Sequence, residues 1–190
     1  MEEKKEIPQI YLYHCNTKEK CGNFLNNILE LIKSSHKYDD YWLGKGMYYW
    51  ENLGNAKYWK KDKTRKNPND EFVIIKSFVS LEKLLDLTDN DIANKIEILW
   101  EKLSNQSLEN KNFQNKVPIG AKLNFIYKKL DEFQKKYNIV KIVGINYKSK
   151  NNFFDERKNT KVKPSSTVKI IYNVKDGSCI IKKGEIINDK

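Results

Sequence analysis

The sequence predicts an α+β domain with antiparallel sheet rather than alternating βαβ units, because strands come early, helices fill the middle and strands return at the end. The early strand is the apolar run Ile10-Tyr11-Leu12-Tyr13, and the late ones are Ile139 to Tyr147 and Val168 to Val174. A chain of 190 residues fits one domain, spanning 1–190, with enough length to bury most of its apolar surface. It carries no internal repeat.

The elements follow in order. The first strand ends at polar residues that can begin a helix, and Phe24, Leu25, Ile28, Leu29, Leu31 and Ile32 recur at three and four, which predicts an amphipathic helix. A loop over Ser34 to Tyr41 leads to an aromatic and glycine-rich segment. Ala56, Tyr58 and Trp59 predict a short helix, closed by the charged, turn-rich run Lys60 to Asp70. Glu71 to Val79 alternates and is β-branched, as a central strand requires. Leu81, Leu84, Leu85 and Leu87 read as a short helical turn. Thr88 or Asp89 then caps a helix from Asp91 to Leu103, with Ile92, Ile96, Leu99, Trp100 and Leu103 on one face. Asn105 to Lys116 reads as a polar surface loop. Pro118 precedes a helix from Ala121 to Tyr137 with Leu123, Ile126, Tyr127, Leu130 and Phe133 as its buried stripe. After the strand at Ile139, the polar stretch Lys148 to Pro164 holds Phe153-Phe154, and long loops between strands tend to carry function. Asp176-Gly177 is a hairpin signal, with Ser178 to Lys182 as the return strand.

Charge and cysteine content narrow the class. Thirty-six Lys and Arg against 25 Asp and Glu give a formal charge of +11, which favours nucleic acid, a nucleotide or an acidic protein as partner. Nearly all of that excess is lysine, which an A- and T-rich genome also produces. The start, Met1-Glu2-Glu3-Lys4-Lys5-Glu6, is charged in both signs and precedes no apolar run of membrane-spanning length, so a cytoplasmic protein without a membrane partner is expected. Cys15, Cys21 and Cys179 lack ligand spacing and read as reduced thiols. A zinc set with His14 and His36 is disfavoured because no Cys-x-x-Cys pair is present.

Two segments carry the functional signal: Tyr13-His14-Cys15-Asn16, and Tyr41 to Glu51, where five aromatic residues surround Gly44 and Gly46. Glycine beside aromatic rings lets a flat ligand approach the backbone and stack, which suits a planar, cationic heteroaromatic group.

These segments resemble the ADP-ribosyltransferase-like superfamily, which includes small bacterial toxins and phage-defence proteins. Tyr13-His14-Cys15-Asn16 is similar to a Tyr-His-Gly-Thr motif closing the first strand, and Trp42 to Tyr49 to a Trp-Leu-Gly-x-Gly-x-Tyr-Phe motif. Ala56 and Trp59, Leu85-Asp86-Leu87-Thr88-Asp89 and Val174 to Ile180 resemble further segments, so the likeness spans nearly the whole chain. It implies a split pair of antiparallel sheets with inserted helices, holding NAD as substrate in the cleft. It implies that His14 hydrogen-bonds the ribose, that Cys15 meets the nicotinamide carboxamide through its backbone, that Asn16 and Gly46 belong to the same NAD site, and that Tyr48 stacks on the ring with Trp59 opposite.

Cleaving the nicotinamide–ribose bond builds positive charge on the sugar, which the site must stabilise. Many members place a Glu or Gln near the start of a late strand, whereas here Thr167 to Tyr172 offers neither. Glu156 is the favoured substitute, with Asp155 and Glu51 as the other candidates. Cys15 in place of Gly is the second departure, and requires backbone angles open to a side chain. The function so implied is transfer of ADP-ribose from NAD to a macromolecule by a mono-ADP-ribosyltransferase toxin of a toxin–antitoxin or phage-defence system. RNA is favoured over DNA, protein remains an alternative acceptor, and an antitoxin is expected as neutralising partner. The alternative is a non-catalytic nucleotide- or nucleic-acid-binding module on the same fold. The lysine-rich runs Lys57 to Lys66 and Lys148 to Lys163 would then flank the cleft, with Phe153 and Phe154 stacking on a base.

Overall fold

The computed structural model describes residues 6–34, 38–107, 117–145 and 168–187. Among them it has seven strands, all in one mixed sheet, and five α-helices. β1 (Gln9–Thr17) is followed by α1 (Lys18–Leu25), β2 (Met47–Trp50), α2 (Leu53–Lys66), β3 (Phe72–Ser80) and β4 (Leu84–Asp86). Then come α3 (Asn90–Ser107), α4 (Ile119–Lys129), α5 (Asp131–Lys136), β5 (Ile139–Ile145), β6 (Val168–Val174) and β7 (Ile180–Ile187). The spatial order is β4-β5-β6-β2-β1-β3-β7, antiparallel throughout except for β4 beside β5. The expected α+β class with antiparallel pairing is therefore present.

β1 pairs with β3 along its whole length, from Gln9 opposite Ser80 to Thr17 opposite Phe72. Its other edge meets β2 at one residue pair only, Tyr13 opposite Trp50. Beyond that pair the two strands part, so the sheet consists of a β1-β3-β7 half and a β4-β5-β6-β2 half joined at a single point.

Strand alternation gives each half two apolar faces. On one side α1 closes a core of Leu12, Phe24, Met47, Tyr49, Ile75, Val79, Tyr172 and Val174. On the other, Ala56 of α2 covers Cys15, Phe72 and Ile74. The same side of the second half packs Leu85, Val140 and Ile171 against Trp100, Leu123, Ile126 and Phe133 from α3, α4 and α5.

Several elements differ from expectation for identifiable reasons. The first helix starts at Thr17, whose hydroxyl accepts from the Lys20 amide, and stops at Leu25, because Asn27 turns the chain at φ 60°. Leu31 and Ile32 reach the core from irregular backbone instead of from a helix. The charged run after Lys60 is helical through Lys66, where Asp62 pairs with Arg65 and Lys66. The Leu84–Asp86 stretch is an edge strand rather than a helical turn, because β5 offers it a parallel partner. Asp89 caps α3, its carboxylate accepting from the amides of Asp91 and Ile92. The long helix expected over 121–137 breaks at Leu130, which adopts φ −126°, ψ 99°. Asp176-Gly177 forms no hairpin: β5 and β2 already occupy both edges of β6, and the following strand crosses to pair with β3. There the Asp176 carboxylate accepts from the Ser178 amide and winds a 3-10 turn.

Candidate functional site

The point where β1 and β2 separate is where the two sequence motifs meet. His14, 5 % exposed, sends its ring into the gap, and its Nδ1 lies 2.6 Å from the main-chain carbonyl oxygen of Tyr48. A carbonyl only accepts, so Nδ1 carries the proton and Nε2 is the bare acceptor. Asn16 supplies the matching donor: the Thr17 amide holds its Oδ1 at 2.9 Å, which turns its Nδ2 toward Nε2 at 3.4 Å. Burial drives the His14 pKa down to about 4, against the opposing hydrogen bond to Tyr48 and with help from the nearby Lys63 charge. The ring is therefore neutral at pH 7, with one nitrogen tied to backbone and the other able to accept from a hydroxyl.

Alternation along β2 sends Tyr48 and Tyr49 to opposite sides. Tyr49 stands beside His14, their ring centroids 5.6 Å apart. The Tyr48 ring packs with the α4 side, and its hydroxyl donates to the Gly44 carbonyl at 2.6 Å while accepting from the Leu43 amide at 3.1 Å. His14 thus meets Tyr48 at its main chain, and the Tyr48 hydroxyl braces the loop before it. Burial holds that phenol above its ordinary pKa, with Asp39 and Asp40 adding to the effect.

Gly44 and Gly46 meet neighbours within the protein. Gly44 has φ 73°, and a Cβ there would lie 2.6 Å from the Gly120 carbonyl and overlap the Asn124 amide. At Gly46, φ 151°, a Cβ would lie 2.7 Å from the Val174 carbonyl and overlap Asn173. The Gly46 carbonyl itself accepts from the Ser34 amide at 2.8 Å. The close approaches that require glycine are thus made by α4 and β6.

On the α2 side a second group assembles. Trp59, 38 % exposed, lies with its centroid 6.0 Å from that of Trp50. Lys63, one turn on, reaches between the Trp59 and Phe72 rings at 5.9 and 5.7 Å and donates to the Cys15 carbonyl at 3.4 Å. Burial lowers the Lys63 pKa, and Lys20 lowers it further, while the Cys15 and Cys21 thiols oppose the change. Cys15 sits in ordinary strand backbone opposite Ile74, without a positive φ.

Of the three carboxylates considered for charge stabilisation, Asp155 and Glu156 lie outside the described residues, as do Thr167, Phe153, Phe154 and His36. Glu51 is half-buried, and its carboxylate acts on the phenol of Tyr172, the residue opposite Tyr49 in the β2–β6 ladder. Burial first, then Glu51 and Asp86, push the Tyr172 phenol up to about 12. His14, Asn16 and Tyr49 form one group, with Glu51 further along the same side of β2. Cys15, Trp50, Trp59 and Lys63 form another across the sheet.

Sequence reasoning missed Lys63 and Lys175. Lys175 is half-buried, donates to the carbonyls of Leu43 and Lys45, the latter at 2.7 Å, and lies 5.3 Å over the Tyr127 ring. Burial takes its pKa down to about 7 despite Asp39. Lys63 lay within the lysine-rich run Lys57 to Lys66 and Lys175 within the Val174 to Ile180 segment, and neither was distinguished there by residue type. None of the three cysteines forms a disulfide, and no metal-ligating cluster occurs among the described residues. Nor does any helix among them have the length and apolarity to cross a membrane. No protein-family model, curated protein or solved structure matches the chain.

Proposed function

We propose that this protein is an NAD-dependent ADP-ribosyltransferase whose dinucleotide enters where β1 and β2 separate. The supporting observation is the single Tyr13–Trp50 pair, past which a neutral His14 occupies the space a continued ladder would fill. Its Nε2 accepts from a ribose hydroxyl once Asn16 swings away, and Nδ1 stays tied to Tyr48, so the acceptor keeps its orientation. The half-buried Tyr48 ring and the partly exposed Trp59, on the other side of the sheet from His14, are the flat surfaces for nicotinamide, so the dinucleotide passes through the gap between the two strands. Lys63, displaced from the Cys15 carbonyl, frees that carbonyl for the carboxamide and turns its charge toward the diphosphate. Glu51, on the same face of the sheet as His14 but beyond the Tyr13–Trp50 pair, is our candidate for stabilising positive charge on the sugar. The acceptor is a macromolecule, and a toxin with this activity requires an antitoxin.

A second reading, a binding module without transfer, is favoured by one observation: β6 from Val168 to Tyr172 has neither carboxylate nor side-chain amide. Incubation with NAD labelled in the adenylate, plus lysate fractionated into protein and nucleic acid, separates the two. Label in either fraction, lost in His14→Ala and Trp59→Ala, supports transfer. Intact NAD and unlabelled fractions exclude it, and nicotinamide release without an acceptor identifies a glycohydrolase.

A further inference from the structure

The charge on α2 is unevenly placed. Its fourteen residues hold six cations, Lys57, Lys60, Lys61, Lys63, Arg65 and Lys66, against Asp62 alone, so a short helix carries nearly half of the chain's net +11. Asp62 pairs with Arg65 and Lys66, at 3.0 and 2.6 Å, but both cations stay mostly exposed and can exchange it for another anion. Cations in the last turn complement the helix dipole, which accounts for Lys63, Arg65 and Lys66 but not for Lys57, Lys60 and Lys61 farther back.

Those three share a flank with Thr64 and Arg65. The spacing i, i+3, i+4, i+7, i+8 lines them along one side of the helix, an open surface with no carboxylate among the residues that border it. Lys57, Lys61 and Arg65 recur every fourth residue, a rise of about 6 Å per step, comparable to the spacing of successive phosphates along an extended single strand. Tyr58, 60 % exposed, sits one turn before Lys61 at the edge of this row. A large exposed ring among cations suits stacking on an unpaired base, a feature that an acidic protein partner would not use.

We propose that this flank of α2, with Tyr58 at its rim, binds the backbone of a single-stranded nucleic acid. Lys57, Lys61 and Arg65 contact successive phosphates and Tyr58 stacks on a base. The surface lies on the opposite flank of the helix from Trp59, so binding here is separate from NAD chemistry and needs no NAD.

The test is fluorescence anisotropy with labelled oligo(U) and oligo(dT) of about 20 nucleotides, titrated without NAD between about 50 and 200 mM salt. Three phosphate contacts predict a log–log salt slope of about −2, since each contact on a single strand contributes about −0.7. Lys57→Gln with Lys61→Gln, both exposed and checked by circular dichroism for retained fold, should make the slope shallower by about 1.4. Tyr58→Ala should weaken binding about tenfold and leave the slope unchanged. Preference for oligo(U) assigns the strand to RNA, and equal binding extends the surface to both sugars; either supports the proposal. A slope that the double substitution leaves unchanged overturns it. So does poly-glutamate competing as well as the oligonucleotide at equal charge, which would make this a surface for an acidic protein.

Discussion

The Nδ1 atom of His14 donates to the carbonyl oxygen of Tyr48 across 2.6 Å, one residue past the last pair that joins β1 to β2. A side chain here does what a ladder amide does elsewhere in the sheet. The Tyr48 carbonyl is satisfied, and the strands are free to diverge without leaving a buried acceptor unpaired.

That arrangement predicts an acid-sensitive step in stability. The His14 pKa is about 4 in the folded chain and near 6.5 when unfolded, so between those values the unfolded state holds the extra proton. Stability therefore falls as pH drops from 6.5 to 4, by about 3 kcal/mol if the ring stays buried. Asp62, Asp86 and Asp176, whose pKa values are lowered from 3.8, release their contributions only below that pH. Urea denaturation at pH 7, 5.5 and 4 should show the step in the wild type. His14→Gln, which keeps a donor for Tyr48 but cannot titrate, should flatten it.

Lys175 predicts a second step of the same sign at the alkaline side. Its folded pKa is about 7 against 10.5 for the free side chain, so the unfolded state again binds more protons and stability rises with pH through that interval. The clean window is pH 7 to 9, before the raised pKa values of Cys21 and Cys179 begin to oppose it. The unfolding free energy from urea denaturation should gain about 2 kcal/mol across that window in the wild type. Lys175→Met should lack the gain, and it should loosen the Leu43 and Lys45 carbonyls that the amine ties together.

Gly46→Ala is predicted to destabilise the fold by at least about 2 kcal/mol, because the new methyl would overlap Asn173 and press on the Val174 carbonyl at 2.7 Å. Thermal melting without any ligand checks this. An unchanged melting point, with only NAD binding lost, would return the glycine to a ligand-facing role.

What the sequence revealed follows the range of the forces involved. β3 and α3 were legible because alternation, the apolar stripe from Ile92 to Leu103 and the Asp89 cap act within a few residues. The end of α1 was not, since Leu31 and Ile32 keep helical spacing while Asn27 has already turned the chain. Asp176-Gly177 signalled a turn correctly and a hairpin wrongly, because the pairing of β7 depends on β5 and β2 having taken both edges of β6. At the candidate site, His14 and Trp59 stood out by residue type. That His14 shares a side of β2 with Tyr49 rather than with the Tyr48 ring follows from strand alternation, which becomes readable only once Met47–Trp50 is known to be extended.

Tyr48 offers the last test, because its ring and its hydroxyl do separable work. The hydroxyl bridges the Gly44 carbonyl and the Leu43 amide, so Tyr48→Phe should lower stability by about 1 kcal/mol, the usual net value of such a contact. If the ring supplies a stacking face for nicotinamide, Phe preserves it and NAD turnover by that variant stays within about threefold of wild type, whereas Tyr48→Ala loses more than tenfold. Single-turnover nicotinamide release, measured well below the melting point of each variant, keeps the stability loss from mimicking a lost contact. Equal rates in Tyr48→Phe and Tyr48→Ala would limit Tyr48 to bracing the Trp42–Gly46 loop and leave Trp59 as the ring that nicotinamide meets.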